Sequence, residues 1–245
     1  MVIGCIIVSG RWQRKFSLAS QLSEGTQYQN MIKHFKNYIK TNKYFWQYRH
    51  WLDKDVWASY LSDSSSKRRN FYSNFVLRKK LNSVFEFGCA SGPNLKNIRD
   101  NTSNDVYLLG YDINKSALNL AQKKLGDRRT QFTSNIEHYE LKNRLMAAGL
   151  QRFDLAIYDR VLYLIDEDAI KKHFMTTGDL LRYIVIDDFH ACGAQQTNGA
   201  YFSKNYIKIM GACGFEITEL NDSEHLAGDS FFKKTAKQLI FHSNR

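Results

Sequence analysis

Proline is nearly missing from this chain: Pro93 is the only one among 245 residues. Glycine, at fourteen, is not abundant. Together these exclude collagen-like and Pro/Gly-rich disordered chains. The four cysteines (Cys5, Cys89, Cys192, Cys213) are far apart and form no CxxC pair. They suggest neither a disulfide framework nor a zinc site, so a reducing, cytoplasmic setting is expected. No apolar run approaches the roughly 18–20 residues that a bilayer span needs. The start, Met1 to Val8, is apolar but short, and Arg11, Arg14 and Lys15 follow it instead of preceding it. It reads as a short strand, an ordered arm or a mis-assigned start, and makes a poor secretory signal.

Acidic residues are scarce in the first third. Residues 1–80 hold 15 Lys+Arg and only 4 Asp+Glu, whereas residues 81–245 hold 20 of each. All four tryptophans (Trp12, Trp46, Trp51, Trp57) also fall before residue 80. This shift in composition predicts two parts: a basic, aromatic-rich, mostly helical extension over 1–80, and a balanced domain over 81–245.

The second part alternates strand-like and helix-like segments. Strands are predicted at 83–87, 106–111, 129–133, 153–158, 183–187, 215–220 and 238–242. Helices are predicted at 93–100, 115–125, 167–176 and 205–213. Alternation of this kind builds βαβ units, so the expected fold is α/β, with a mostly parallel seven-stranded sheet and helices on both faces.

One turn carries the most information. It reads Phe85-Glu86-Phe87-Gly88-Cys89-Ala90-Ser91-Gly92-Pro93-Asn94-Leu95. A strand enters it, small residues fill positions 88, 90 and 92, and a helix leaves with Pro93 in its first turn. The open helix N-terminus would face a ligand with free N–H groups. A dinucleotide fingerprint would be G-x-G-x-x-G, but the spacing here is G-x-A-x-G with Glu86 two residues ahead of it. On residue type alone, a plain strand-to-helix turn remains an alternative.

E-F-G-C-A-S-G resembles motif I of the class I S-adenosylmethionine-dependent methyltransferases, and the likeness extends over about residues 83–242. The resemblance implies a Rossmann-like fold and S-adenosylmethionine as cofactor. It sets Glu86, Gly88, Cys89, Ala90, Gly92 and Asn94 against that cofactor. Asp112, 24 residues after Gly88, matches the acid that holds the ribose hydroxyls, and Ile113 the residue packed on adenine. Asn135 and Ile136 match the adenine-edge position, where Asn135 replaces the family's frequent acid. Tyr158, at the end of the fourth strand, joins the cofactor set. From the segment ahead of the motif, Trp57, Arg69 and Tyr72 are expected to reach the same cleft. Phe153-Asp154-Leu155 and Gly214-Phe215-Glu216 are similar to later family segments.

The implied chemistry is displacement of a methyl group from a sulfonium, which requires positioning of the nucleophile and exclusion of water. The candidates beyond the strand ends are Asp159, Arg160, Tyr163, Asp187, Asp188 and His190. His190, beside two carboxylates, is the expected base, with Asp159 as a second catalytic residue. No metal ligand is assigned, although Asp159, Asp187 and Asp188 loosely resemble the acids of magnesium-dependent catechol-type enzymes. The expected acceptor is an oxygen or nitrogen of a small anionic molecule. An RNA acceptor gripped by the basic extension is the alternative, and so is a non-catalytic binding module of the same fold.

Overall fold

The computed structural model describes Trp46 and residues 55–193, 197–198, 201–223 and 234–243. Most of the expected helical extension, with the apolar start, lies outside the described residues. Its final two helices are seen: α1 (Val56–Ser62) and α2 (Lys67–Lys79). The polar run Asp63 to Ser66 separates them, as its composition predicts.

The sheet then builds up in chain order. β1 (Ser83–Phe87) leads into α3 (Pro93–Asn101), β2 (Tyr107–Tyr111) into α4 (Lys115–Leu125), and β3 (Thr130–Thr133) into α5 (His138–Ala147). β4 (Phe153–Asp159) is followed by α6 (Glu167–Thr177) and by β5 (Leu181–Phe189). A two-residue hairpin, β6 (Thr197–Asn198) and β7 (Tyr201–Phe202), stands apart from the sheet. α7 (Tyr206–Ala212), β8 (Phe215–Asp222) and β9 (Ala236–Ser243) complete the fold.

The seven-stranded sheet has the order β3-β2-β1-β4-β5-β9-β8. β1 to β5 pair in parallel, and β9 enters antiparallel between β5 and β8. All seven expected strands are present. The helix α5 was not anticipated, because it buries only Leu141 and Leu145, too thin an apolar stripe to show a helical period.

Strand side chains alternate between two cores. Phe85, Leu109, Tyr158 and Ile186 point into one, where Leu145 of α5, Phe174 of α6 and Met210 of α7 meet them. Val84, Leu108, Ile157 and Val185 point into the other, with Phe75 of α2, Ile98 of α3 and Leu118 of α4. Helices therefore cover both faces. Among the described residues no helix is long and apolar enough to cross a membrane.

Gly110 lies at the centre of the β1–β2–β3 pairing. A Cβ there would sit 2.7 Å from Cys89 Sγ, 2.8 Å from Phe132 Cδ1 and 2.9 Å from Leu95 Cδ1. A packed core resists even one extra methyl group, so Gly110→Ala is expected to lower stability by about 1–3 kcal/mol. A urea titration checks this, and an unchanged midpoint would mean that the neighbours move aside freely.

Strand order fixes the place of the site. β2 and β3 lie to one side of β1, while β4 and β5 lie to the other. The chain thus reverses its winding between β1 and β4. In open α/β sheets, ligands bind beyond the carboxyl ends of the strands at such a switch point.

Candidate active site

The turn after β1 opens at this switch point. Gly88, Ala90 and Gly92 all have positive φ, at 78°, 49° and 81°. A Cβ on Gly88 would lie 2.8 Å from Val161 Cγ2, so the glycine is needed for both space and conformation. Gly92 caps α3, and Pro93 takes its first turn, where a missing N–H is harmless. Ala90 adopts the left-handed conformation despite its methyl group. Relief of that strain is partly offset by the greater freedom of an unfolded glycine, so Ala90→Gly should stabilise the protein by about 0.5 kcal/mol. Thermal unfolding measures this, and a fall in midpoint would show that the methyl's packing near Trp57 outweighs the strain.

Asp112, just past β2, braces this turn. Its Oδ2 accepts from Ala90 N–H at 2.8 Å and its Oδ1 from Asn114 N–H at 2.8 Å. Burial pushes its carboxyl up, while the backbone donors of Asn114, Ala90 and Ile113 pull it down. Two carboxylate oxygens offer about four acceptor positions, so acceptor capacity remains for a ligand. Ile113 next to it is exposed. Asn114 caps α4 through Ala117 N–H and donates its own amide to Trp46 O at 2.6 Å. Asn135 Oδ1 accepts from Glu137 N–H at 2.9 Å, and Ile136 packs at the edge of the first core.

At the carboxyl ends of β1 and β4 a polar cluster is buried. Asn94 donates to Glu86 Oε1 at 2.7 Å and to Asp159 Oδ2 at 2.9 Å. Its own oxygen accepts from Arg69 at 2.7 Å. Arg69 also reaches Asp63 at 3.0 Å, and Arg68 bonds to Asp159 Oδ1. Glu86 Oε2 is buried with no partner among the described residues. Burial, then the nearby Asp159, push the Glu86 carboxyl up to about 8. A buried, orphaned carboxylate oxygen is unusual and marks a place that a donor would fill.

α1 lies over the turn. Ser91 Oγ donates to Trp57 O at 2.7 Å. Trp57 packs with Ala90, Ala117 and Trp46, and its indole N–H is buried without a partner among the described residues. Trp57 and Arg69, expected at the cleft from their place in the chain alone, both meet the turn or its helix. Arg68 was not singled out from the sequence. Its contact with Asp159 depends on how α2 docks, which local pattern does not reveal.

Two expected residues take other roles. Tyr158 is completely buried in the first core, stacked on Phe87, with its hydroxyl 2.8 Å from His173 Nε2. Its side chain faces the packed helices, away from the cleft, because strand alternation puts it on the same face as Phe85. Tyr72 is likewise fully buried in the second core.

His190 hydrogen-bonds to neither aspartate expected beside it. Its Nδ1 accepts from Tyr206 N–H at 3.3 Å, and its Nε2 lies 3.2 Å from Cys192 Sγ. The lone pair that a base would use is already engaged. Burial lowers its pKa as well. Asp188 accepts from the backbone N–H groups of Tyr163 and Phe189. Asp187, raised to about 6 by burial and by Asp159, accepts from Arg160, Ser223 and Gln238. Arg160 holds a positive φ of 54° while its guanidinium lies 4.8 Å over the Phe189 ring. Each carboxylate has its own protein donors. Among the described residues no three Asp, Glu, His or Cys side chains gather as a metal would need.

Beyond β5, a pocket of about 670 Å³ opens between Tyr163–Glu167, Ala191–Gly193 and Phe202–Asn205. Lys204 and Lys208 line it, as do Asp166 and Glu167. None of the turn residues 88–92 does.

No family model matches the chain, and no curated protein matches it in sequence. Solved structures do match in shape. The methyltransferase domain of bacterial CtHen1-C superposes with a TM-score of 0.55 at 14% identity, over 73% of this chain and 98% of that one. The fold is that of class I methyltransferases. Magnesium protoporphyrin IX methyltransferase from Synechocystis PCC 6803, solved with S-adenosylhomocysteine, gives 0.53 at 13% identity over 76% and 86% of the two chains. An O-methyltransferase of a trans-AT polyketide multienzyme of Brevibacillus brevis gives 0.51 at 12% identity, covering 72% of each chain.

Proposed function

We propose that this protein is an S-adenosylmethionine-dependent methyltransferase that acts on an oxygen or nitrogen of a small molecule. The observation that carries the reading is Glu86. Its orphaned buried oxygen lies in the same cluster as the guanidinium groups of Arg68 and Arg69, at the switch point of a methyltransferase fold. An acceptor and two cations held so close together suit a zwitterionic amino-acid group.

The residues present fit this cofactor. Glu86 would take its ammonium, and Arg68 and Arg69 would neutralise its carboxylate. The turn Gly88–Gly92, with Cys89 contributing backbone alone, leaves room for close approach. Asp112 would accept from the ribose hydroxyls with its remaining lone pairs. Ile113 offers an apolar surface to adenine. Asn135, whose oxygen is already engaged, offers its amide donors. When bound, the cofactor supplies a methyl group on a positively charged sulfur. This chain's residues orient the two reactants and exclude water, Trp57 and α1 by covering the turn and Asn94 and Asp159 by fixing the floor of the cleft. No general base is assigned, because His190 has no free lone pair.

The pocket beyond β5 is on the same edge of the sheet and is the acceptor site in this reading. Its two lysines and two acids suit a small polar acceptor better than a strongly anionic one. The basic excess that suggested an anion lies mainly before residue 55, where nine of the fifteen basic residues of the first 80 fall. The test is calorimetric titration of the full chain with S-adenosylhomocysteine. Micromolar-range binding is expected, and no heat at millimolar ligand would overturn the reading.

A further inference from the structure

The pocket beyond β5 holds a cysteine–histidine pair that the methyl-transfer reading leaves unused. Cys192 is exposed and lines the pocket. His190, only 4% exposed, stands behind it with Nε2 3.2 Å from the sulfur. The histidine's other nitrogen decides how the pair works. Nδ1 accepts from Tyr206 N–H, so a neutral imidazole must carry its proton on Nε2. Cys192 Sγ lies within hydrogen-bond distance of that nitrogen, and the Lys204 backbone is a second partner of the ring.

The geometry is fixed from several sides. The His190 ring stacks with Tyr206 at 6.3 Å. His190 N–H bonds to Thr235 O at 2.7 Å, and Asn205 Nδ2 holds Cys192 O at 3.2 Å. Lys204 adds positive charge to the same pocket, anchored on the carbonyls of Leu162 and Tyr163. A buried imidazole nitrogen held 3.2 Å from an exposed sulfur is the arrangement in which a histidine assists a thiol as nucleophile. The other described cysteines, Cys89 and Cys213, are buried in the cores. The volume of about 670 Å³ in front of the sulfur would hold a small organic molecule.

We propose that Cys192, positioned by His190, is a nucleophilic modification site for soft carbon electrophiles of the α,β-unsaturated carbonyl class. The sulfur lone pair forms a bond to the β-carbon. The π pair moves to the α-carbon, which takes a proton from water as the thiol proton leaves to solvent. Nothing is expelled, and no oxidant or reductant is needed. The adduct fills the pocket but leaves the turn at residues 88–92 untouched, so it would close the acceptor side alone. The site does not depend on which cofactor the protein binds.

The experiment labels the full chain at pH 7 with limiting N-ethylmaleimide and follows each cysteine by peptide mass spectrometry. The same measurement in 8 M urea gives the reactivity of Cys192 without its surroundings. At least tenfold faster labelling of Cys192 in the folded protein is expected. His190→Phe, shown to be folded by circular dichroism, should lose that advantage, while His190→Gln, which keeps a donor, should retain part of it. Equal or slower labelling in the folded state would overturn the proposal even if neither variant folds. So would an unchanged rate in a folded His190→Phe.

Discussion

Glu86→Gln is expected to make the ligand-free protein more stable, with a gain that grows between pH 5 and pH 8. Glu86 is 2% exposed, its Oε2 has no partner among the described residues, and its pKa is raised from 4.5 to about 8. Burial is the larger cause and Asp159 the second. Below pH 4.5 the carboxyl is protonated in both folded and unfolded chains. Between 4.5 and 8 only the folded chain keeps the proton, so its stability falls as pH rises through that window. The shift corresponds to roughly 4 kcal/mol by pH 8, at about 1.4 kcal/mol per unit. Glutamine does not titrate and escapes this loss. Thermal unfolding of both proteins at pH 5 and pH 8 measures the difference. An advantage that is equal at the two pH values would mean that Glu86 ionises normally in the folded chain.

The same substitution should abolish tight binding of S-adenosylhomocysteine, since the amide presents no negative charge to an ammonium group. A residue that destabilises the empty protein and is required by its ligand is what a binding site built at the expense of stability looks like. If Glu86→Gln binds as tightly as the unaltered chain, Glu86 is a buried acid without a role in the ligand.

The fold was legible in the sequence because its signals are local. Alternating apolar strands and the single proline at the start of α3 mark element ends that tertiary packing does not override. The position of Asp112 beside the turn was legible for the same reason, since spacing along β1 and β2 sets where it falls. Elements with thin apolar faces were not legible, as α5 shows with only Leu141 and Leu145 buried. The roles of side chains beyond the strand ends were still less so. His190 follows two aspartates in sequence, yet Asp187 and Asp188 turn to partners on β9, the Ser223 loop and the backbone near Tyr163. Sequence adjacency put the three together, whereas strand alternation sends neighbouring side chains to opposite faces. Arg68 was missed because its partner, Asp159, is 91 residues away.

Asp112→Ala should weaken S-adenosylhomocysteine binding at least tenfold and also lower the melting temperature. The two effects have different origins. A carboxylate that accepts from two vicinal hydroxyls is worth on the order of 1.5–3 kcal/mol, which sets the binding loss. The same carboxylate accepts from Ala90 N–H and Asn114 N–H in the protein itself. Losing both acceptors strands two backbone donors at about 1–3 kcal/mol, or several degrees in a chain of this size. Since the turn at Ala90 is part of the cleft, some of the affinity loss could come from a distorted turn. A second ligand separates the two contributions. Methionine alone has no ribose, so its weak binding should change little in the variant if Asp112 serves the hydroxyls, and should fall in parallel if the turn has collapsed. Unchanged affinity for S-adenosylhomocysteine in a folded Asp112→Ala protein would leave Asp112 as a brace for the turn and remove it from the ligand.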